Sequence, residues 1–130
     1  MRLLLDTHIF IWWADEPERL PPFILNALMD EENDLLLSVV SLWEMQIKTQ
    51  LGKLAMSRPL DHLVSLQQSV NELELLPVLA HHVFALDELP LLHKDPFDRM
   101  IIAQSQIEKM TIVTVDKAFR AYEVALLGRM

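Results

Sequence analysis

Short apolar runs alternate with longer segments of mixed apolar and polar residues, and this alternation continues along the whole chain. Apolar runs at 3–5 and 35–40 are typical of strands that are buried on both faces of a parallel sheet. A run rich in β-branched residues at 111–115 predicts a further strand. Weaker strand candidates lie at 74–78 and 124–127.

The mixed segments between these runs predict helices, because their apolar residues recur at helical spacing or because proline marks a first turn. The predicted helices cover residues 8–13, 21–29, 41–52, 59–73, 81–89 and 96–109. The buried face of the third helix is predicted to carry Trp43, Ile47, Leu51 and Leu54, and that of the fourth Leu60, Leu63, Leu66 and Val70. Strands that alternate with helices predict an α/β fold, with a mainly parallel sheet covered on both faces.

Length and composition are typical of a globular domain. A chain of 130 residues can bury a core of its own, and we expect one domain over residues 1–130. Hydrophobic residues make up 52% of the chain, yet no window holds the roughly 18 uninterrupted apolar residues that a membrane span needs. The lack of cysteine excludes disulfides and thiolate metal ligands. These features favour a cytoplasmic protein that does not enter a membrane.

The formal net charge of −8 is concentrated in one region of the chain. Residues 15–34 hold seven acidic residues against Arg19 alone, so a solvated surface accounts for most of the excess. This imbalance argues against tight nonspecific binding to long nucleic-acid duplexes. It leaves open a contact with phosphate groups through a bound metal ion.

Four acidic residues stand where predicted elements begin or end. Asp6 and Asp116 follow apolar strands, whereas Glu44 and Asp98 lie in the first turns of predicted helices. Taken singly, each has a structural explanation, because the first two are placed to cap helices and the other two occupy the third position of a capping box. In a parallel sheet, however, strand ends and helix starts share one edge. We therefore expect the four carboxylates to converge.

Such a cluster indicates a metal site. Carboxylates that lie close together repel one another and raise one another's pKa unless a cation binds them. Oxygen ligands without cysteine or paired histidine favour Mg²⁺ or Mn²⁺ over zinc. Water activated by such an ion can attack phosphorus. The sequence therefore indicates phosphodiester or phosphoryl chemistry.

Four blocks of the sequence resemble the PIN-domain nucleases and, within them, the VapC-like toxins of type II toxin–antitoxin systems. The blocks are LLDTH at 4–8, SVVSLWEMQIKTQLGKL at 38–54, HKDPFDRMIIAQ at 93–104 and VTVDKAFRAYEV at 113–124. The resemblance implies a PIN-like three-layer α/β/α sandwich with four to five short strands. It also implies an endoribonuclease that depends on Mg²⁺ or Mn²⁺ and leaves a 5′-phosphate. The partners that it implies are a second copy of the chain and a VapB-like antitoxin whose C-terminal segment lies near the active site.

The resemblance also assigns roles to individual residues. It implies that the catalytic and metal-binding residues are Asp6, Glu44, Asp98 and Asp116. Asp95 is either a further ligand or only a helix cap. Thr7 and Thr114 match small polar positions beside the acids, from which Thr114 can donate to a ligand carboxylate or to metal-bound water.

Basic and aromatic residues near these blocks are candidates for other contacts. Arg99, next to an acid in the sequence, is either a phosphate contact or a balance for the negative charge. His93 stands alone in a loop, where histidine can act as an acid or contact substrate but usually does neither. Trp12 or Trp13 is predicted to meet a partner, although packing beneath the sheet is the simpler explanation.

Other classes of protein also gather acids around Mg²⁺ at strand ends. A phosphoacceptor receiver domain has adjacent acids after its first strand, whereas Thr7 follows Asp6 here. A phosphatase of the haloacid-dehalogenase type has Asp-x-Asp at this point, but His8 occupies the third position. A noncatalytic RNA- or protein-binding domain is a further alternative, and it predicts no metal-dependent cleavage of RNA.

Overall fold

Four short strands and six α-helices alternate along the chain in a computed structural model that describes residues 1–128. Positions 129 and 130, which the predicted domain 1–130 includes, lie outside the described residues. The strands are β1 (Arg2–Leu5), β2 (Asp34–Ser38), β3 (Glu74–Leu76) and β4 (Thr111–Val113). The helices are α1 (Thr7–Asp15), α2 (Pro22–Met29), α3 (Val39–Gln50), α4 (Leu60–Asn71), α5 (Ala80–Ala85) and α6 (Pro96–Glu108). Short 3₁₀ helices cover Pro17–Arg19, Leu86–Glu88 and Lys117–Ala121.

The strands form one parallel sheet in the order β3-β2-β1-β4. Leu4 of β1 lies opposite Leu36 on one side and Ile112 on the other. Beyond β4, the predicted strand at 124–127 is reduced to a single parallel bridge between Ile112 and Leu126. The central parallel sheet of four to five short strands is therefore confirmed.

Successive residues of each strand point to opposite faces of the sheet, and each face is covered by helices. Leu3 and Leu5 belong to one buried cluster, which includes side chains of α1, α2, α3 and α4. Leu4 belongs to a second cluster, to which α6 contributes Met100 and Ile102. This alternation confirms the three-layer α/β/α sandwich, and it explains why the strands are apolar at nearly every position.

The predicted start and buried face of α3 are wrong. The helix begins at Val39 rather than at residue 41, because the Ser38 hydroxyl accepts a hydrogen bond from the backbone N–H of Val40 and caps it. Trp43 and Leu51 are 62% and 63% exposed. The inward face carries Ser41 and Glu44 beside the apolar Val40 and Met45, and the two polar side chains lead toward the candidate site.

The predicted buried face of α4 is also partly wrong. Leu63 is buried as expected, but Leu66 and Val70 are exposed. Val64 and Gln67 occupy the inward positions instead. Val64 and Gln67 each lie one residue after a predicted position, and a shift of one residue rotates the buried face by about 100° around the helix.

Candidate metal centre and active site

Neighbouring strands bring Asp6 and Asp116 to the same edge of the sheet. Asp6 directly follows β1, and its backbone N–H donates to the carbonyl oxygen of Val113 in β4 at 2.9 Å. Thr114 joins the two acids: its hydroxyl donates to Oδ2 of Asp6 at 2.8 Å and accepts from the backbone N–H of Asp116 at 3.0 Å. The carboxylate of Asp116 also accepts from the backbone N–H of Ala118 and so caps the 3₁₀ helix that follows.

Glu44 reaches the site from the second turn of α3, where it is only 3% exposed. The Thr7 hydroxyl lies 2.8 Å from its Oε1, and the Lys48 ammonium group donates to its Oε2 at 2.6 Å. The buried Ser41 hydroxyl lies 2.9 Å from that of Thr7. The predicted capping box at Glu44 is wrong, because Ser41 and Glu44 lie inside the helix and face inward.

Asp98 occupies the third position of α6, as predicted. Asp95 caps this helix, because its Oδ1 accepts from the backbone N–H groups of Phe97 and Asp98. Oδ2 of Asp98 lies 2.8 Å from Nε2 of His93. His93, Asp98 and Asp116 each offer one ligand atom, and these atoms all lie within 4.8 Å of one another. The structure thus contains a group of side chains that could hold a metal ion.

Burial and mutual repulsion shift the pKa values of two of the acids. Burial raises the pKa of Asp98 to about 7; the negative charges of Asp6, Asp95 and Glu44 add to this rise, and the hydrogen bond with His93 opposes it. Burial also raises the pKa of Asp6 to about 6, with a contribution from the charge of Asp116, while the hydrogen bond from Thr114 opposes the rise. The acids predicted from the sequence therefore lie within electrostatic reach of one another.

The chemistry of this donor set suits a hard divalent cation. Carboxylate oxygens are the preferred protein ligands of Mg²⁺, and Mn²⁺ accepts them as well. A cation would also offset the cost of holding buried acids together, which appears here as the raised pKa of Asp6 and of Asp98. Lys48 supplies one positive charge beside Glu44. The residues therefore fit the predicted metal.

Arg99 is not turned toward the acids. Its buried guanidinium group donates to the backbone carbonyl oxygens of Leu86, Leu89 and Pro90, at 3.3, 3.3 and 2.8 Å, and to the Tyr122 hydroxyl at 3.3 Å. Adjacent residues of a helix point about 100° apart, so closeness to Asp98 in sequence did not place Arg99 in the site. The structure gives no support to the predicted phosphate contact, and shows instead an arginine that holds a loop.

Two tryptophans of α1 have different environments. Trp13 is buried in the core, as the packing explanation expects. Trp12 is half-buried; the Arg19 guanidinium lies 4.6 Å from the centre of its ring, and the ring of His8 packs at its edge. A partner contact for Trp12 stays a prediction.

A second group of histidines and an acid joins α5 to α6. His82 is fully buried, and its Nδ1 accepts from the backbone N–H of Leu79 at 2.9 Å. In the neutral ring the proton is therefore on Nε2, which lies 3.0 Å from Oε1 of Glu108. His81 Nε2 is 3.8 Å from the same oxygen. Although these side chains are close enough to hold an ion, both nitrogens of His82 are already used in hydrogen bonds.

A large cavity lies away from the acids. Its volume is about 760 Å³, and its lining includes Leu42, Gln46, Leu60 and Val64 of α3 and α4 but none of the four acids. Within residues 1–128, no helix has both the length and the apolar character needed to cross a membrane. The chemistry that the described residues support is therefore concentrated at the carboxyl edge of the sheet.

Comparison with known proteins gives a matching family model and a similar sequence. The family model described as the PIN domain matches residues 3–125. The chain is similar to ribonuclease VapC22 of Mycobacterium tuberculosis, with 28% identity over 122 residues that cover 92% of this chain and 91% of the relative.

Solved structures show the same fold. VapBC2 from Rickettsia felis, bound to a DNA fragment from its promoter, matches with a TM-score of 0.71 and 21% identity, covering 97% of this chain and 96% of that one. VapBC-1 from nontypeable Haemophilus influenzae matches with a TM-score of 0.64 and 18% identity, covering 92% and 91%. Because the family model spans nearly the whole chain and the fold agrees with it, this chain belongs to the PIN-domain family.

Proposed function

We propose that this chain is a metal-dependent endoribonuclease that acts as the toxin of a toxin–antitoxin pair. One observation carries the proposal: the acids at positions 6, 44, 98 and 116 meet at the carboxyl edge of a sheet with the PIN fold. The similarity to a protein named ribonuclease VapC22 supports RNA as the substrate. The similarity to VapBC structures supports a VapB-like antitoxin as the partner.

The metal ion would be held by Asp6, Glu44, Asp98 and Asp116, directly or through water. Mg²⁺ or Mn²⁺ held there would supply a lowered pKa for the attacking water and positive charge beside the leaving 3′ oxygen, which would leave a 5′-phosphate on the product. Asp95 acts as the cap of α6 in this proposal.

The surrounding side chains hold the carboxylates in fixed orientations. The hydrogen bond from Thr114 orients the carboxylate of Asp6. Contacts with Thr7 and Lys48 engage both oxygens of Glu44, and the ammonium group of Lys48 offsets part of the negative charge. Such supporting contacts matter in metal sites, because they fix ligand orientation before the metal and the substrate arrive.

The remaining parts of the proposal concern assembly and location. We place the activity in the cytoplasm, with the chain as a homodimer that the antitoxin inhibits. Membership of the PIN-domain family leaves the phosphoacceptor and phosphatase alternatives without support. The noncatalytic alternative differs from the nuclease in one measurable property, the cleavage of RNA.

Replacement of Asp6 by asparagine tests this function. We expect Asp6→Asn to lower the rate of Mg²⁺- or Mn²⁺-dependent RNA cleavage by roughly 100-fold or more, since a metal-held carboxylate contributes several kcal/mol to catalysis. Asp61→Asn is the matched control, because Asp61 is an exposed acid of α4 outside the cluster. Cleavage would be followed on labelled RNA, with EDTA as the metal-free reference and circular dichroism as the check of folding. Metal-dependent cleavage at an undiminished rate in folded Asp6→Asn would refute the assignment.

A further inference from the structure

The loop before α6 is held firmly at the point where it carries His93. The Tyr122 hydroxyl accepts hydrogen bonds from the backbone N–H groups of Leu92 and His93, at 3.2 and 2.8 Å. Tyr122 is itself buried in the cluster that packs beneath α6. A loop residue 29 positions earlier in the chain is thereby fixed to the core of the fold.

Arg99 holds the same loop from the other end. Its buried guanidinium group donates to carbonyl oxygens of Leu86, Leu89 and Pro90. Burying a guanidinium group is costly unless its donors are satisfied, and here most of its partners are backbone atoms of this one loop. Together Arg99 and Tyr122 fix five backbone groups between residues 86 and 93.

The effect of this support is to place an imidazole among the carboxylates. Nε2 of His93 lies 2.8 Å from Oδ2 of Asp98, and the side chain is 24% exposed. A carboxylate oxygen of Asp116 completes a set of three atoms that lie within 4.8 Å of one another. Neighbouring ligands around an octahedral ion with bonds of about 2.1 Å lie about 3 Å apart, and opposite ones about 4.2 Å. The 2.8 Å between Nε2 of His93 and Oδ2 of Asp98 is close to the spacing of neighbouring ligands, and an oxygen of Asp116 lies within 4.8 Å of the ligand atoms that His93 and Asp98 offer.

We propose that His93 is a ligand of the divalent ion, through Nε2, together with Asp98 and Asp116. This inference rests on the proposed function and changes its chemistry, because the ligand set is then no longer made of oxygen alone. Imidazole nitrogen suits transition metals, whereas Mg²⁺ prefers oxygen. The ligand set consequently favours Mn²⁺ over Mg²⁺ more strongly than four carboxylates would.

The competing explanation is that His93 only donates a hydrogen bond to Asp98 and orients it. The two roles place Nε2 at nearly the same distance from Asp98, but they differ in whether nitrogen bonds the metal. Electron spin-echo envelope modulation of Mn²⁺ bound to the full-length chain, without RNA, distinguishes them. A directly bound imidazole gives nitrogen modulation that changes when the histidines carry ¹⁵N.

The variants are chosen to identify which histidine gives the signal. We expect nitrogen modulation in the unaltered protein and in His8→Gln, and its loss in His93→Gln. His8 is the matched control because it also lies within electrostatic reach of an acid of the site, Asp6. His93→Gln keeps a hydrogen-bond donor for Asp98, so a purely orienting role would leave metal affinity nearly unchanged.

Calorimetry with Mn²⁺ and with Mg²⁺ supplies the second measurement. We expect His93→Gln, which removes a direct ligand, to weaken Mn²⁺ binding by roughly 100-fold or more, beyond the roughly 10- to 100-fold cost of losing only a supporting contact, and to weaken Mg²⁺ binding less. If Mn²⁺ binds but the unaltered protein shows no histidine modulation, His93 is not a ligand and the carboxylate site stands. If His8→Gln removes the signal, the nitrogen bound to the metal belongs to His8, and the proposal for His93 is refuted. If Mn²⁺ does not bind at all, the proposed function fails as well.

Discussion

Two groups of histidine and acid in this protein have similar composition but different hydrogen bonding. One, at the carboxyl edge of the sheet, contains His93, Asp98 and Asp116; the other, between α5 and α6, contains His82 and Glu108 together with His81. If closeness of the side chains were sufficient, both groups would be metal sites. The two groups differ in the hydrogen bonds that other residues make with the nitrogens of the histidine ring.

In the group between the helices, the backbone fixes the tautomer. The N–H of Leu79 donates to Nδ1 of His82, and Nε2 in turn donates to Glu108. In the group at the sheet edge, no backbone amide of residues 1–128 donates to the His93 ring, and the Tyr122 hydroxyl accepts from the main-chain N–H of His93. The first arrangement joins two helices, whereas the second leaves a nitrogen facing two carboxylates. We infer that the hydrogen bonding of the ring decides which group serves a metal.

The largest difference between the two groups is expected in catalysis. Asp98→Asn should lower metal-dependent RNA cleavage by roughly 100-fold or more, because it would remove a charged ligand of the proposed metal ion. Glu108→Gln, the matched change in the other group, should leave the cleavage rate unchanged. The rates would be measured on the same RNA at saturating Mg²⁺. Equal losses of cleavage rate in the two variants would show that the two groups do not differ in their contribution to catalysis.

The two groups should also respond to pH with opposite signs when metal is absent. The folded-state pKa of Asp6 is raised from 3.8 to about 6 and that of Asp98 to about 7, so the native state holds protons that the unfolded state releases. Stability therefore falls as pH rises from about 4 to about 7, by about 3 kcal/mol for the two-unit shift of Asp6. The pKa of Glu108 is lowered, chiefly by its bond with His82, so its contribution is present above pH 4.5 and is lost as pH falls through the folded-state pKa.

Urea denaturation in EDTA at pH 5 and pH 8 measures this dependence. We expect lower stability at pH 8, a smaller pH effect in Asp6→Asn, and restoration by Mg²⁺ at pH 8. Glu108→Gln should instead reduce stability at neutral pH. A free energy of unfolding that rises steadily from pH 5 to pH 8 in EDTA would show that burial and repulsion do not raise the pKa values of Asp6 and Asp98.

Smaller effects are expected when a histidine of each group is replaced by alanine and the free energies of unfolding are compared. His82→Ala should lower the free energy of unfolding by about 3 kcal/mol, since it removes a fully buried ring and its hydrogen bonds. His93→Ala should lower it by less than about 1 kcal/mol, because the ring is partly exposed and the loop is held through backbone atoms. Both values would be measured in EDTA. Similar losses in the two variants would make His93 a structural residue.

The fold was largely predictable because its signals are local. The apolar run at 3–5 is a buried strand, and the run at 111–115 forms a strand over Thr111–Val113, whereas Val115 lies beyond the strand and is exposed. The same reasoning failed in α3, where the helix turns Ser41 and Glu44 inward and leaves Trp43 exposed. Hydrophobic spacing identifies a buried face only when that face is apolar, and a face that serves a polar site breaks this condition.

The candidate site was predictable as far as strand order determines it. Asp6 and Asp116 meet because β1 and β4 are neighbours, whereas the resemblance implied only that both acids belong to one site. The contacts of His93 and Arg99 depend on a tyrosine and on loop carbonyl groups that are distant in sequence. No spacing within the block at 93–104 indicates these contacts, so only the folded chain reveals them.

The central claim is that carboxylates at the sheet edge bind a divalent ion. Its most direct test is the anomalous scattering of Mn²⁺ in crystals of the full-length chain at near-neutral pH. We predict a strong anomalous peak within bonding distance of Asp98 and Asp116, and none between His82 and Glu108. At saturating Mn²⁺, a peak only at the second group, or none near the four acids, would contradict the account.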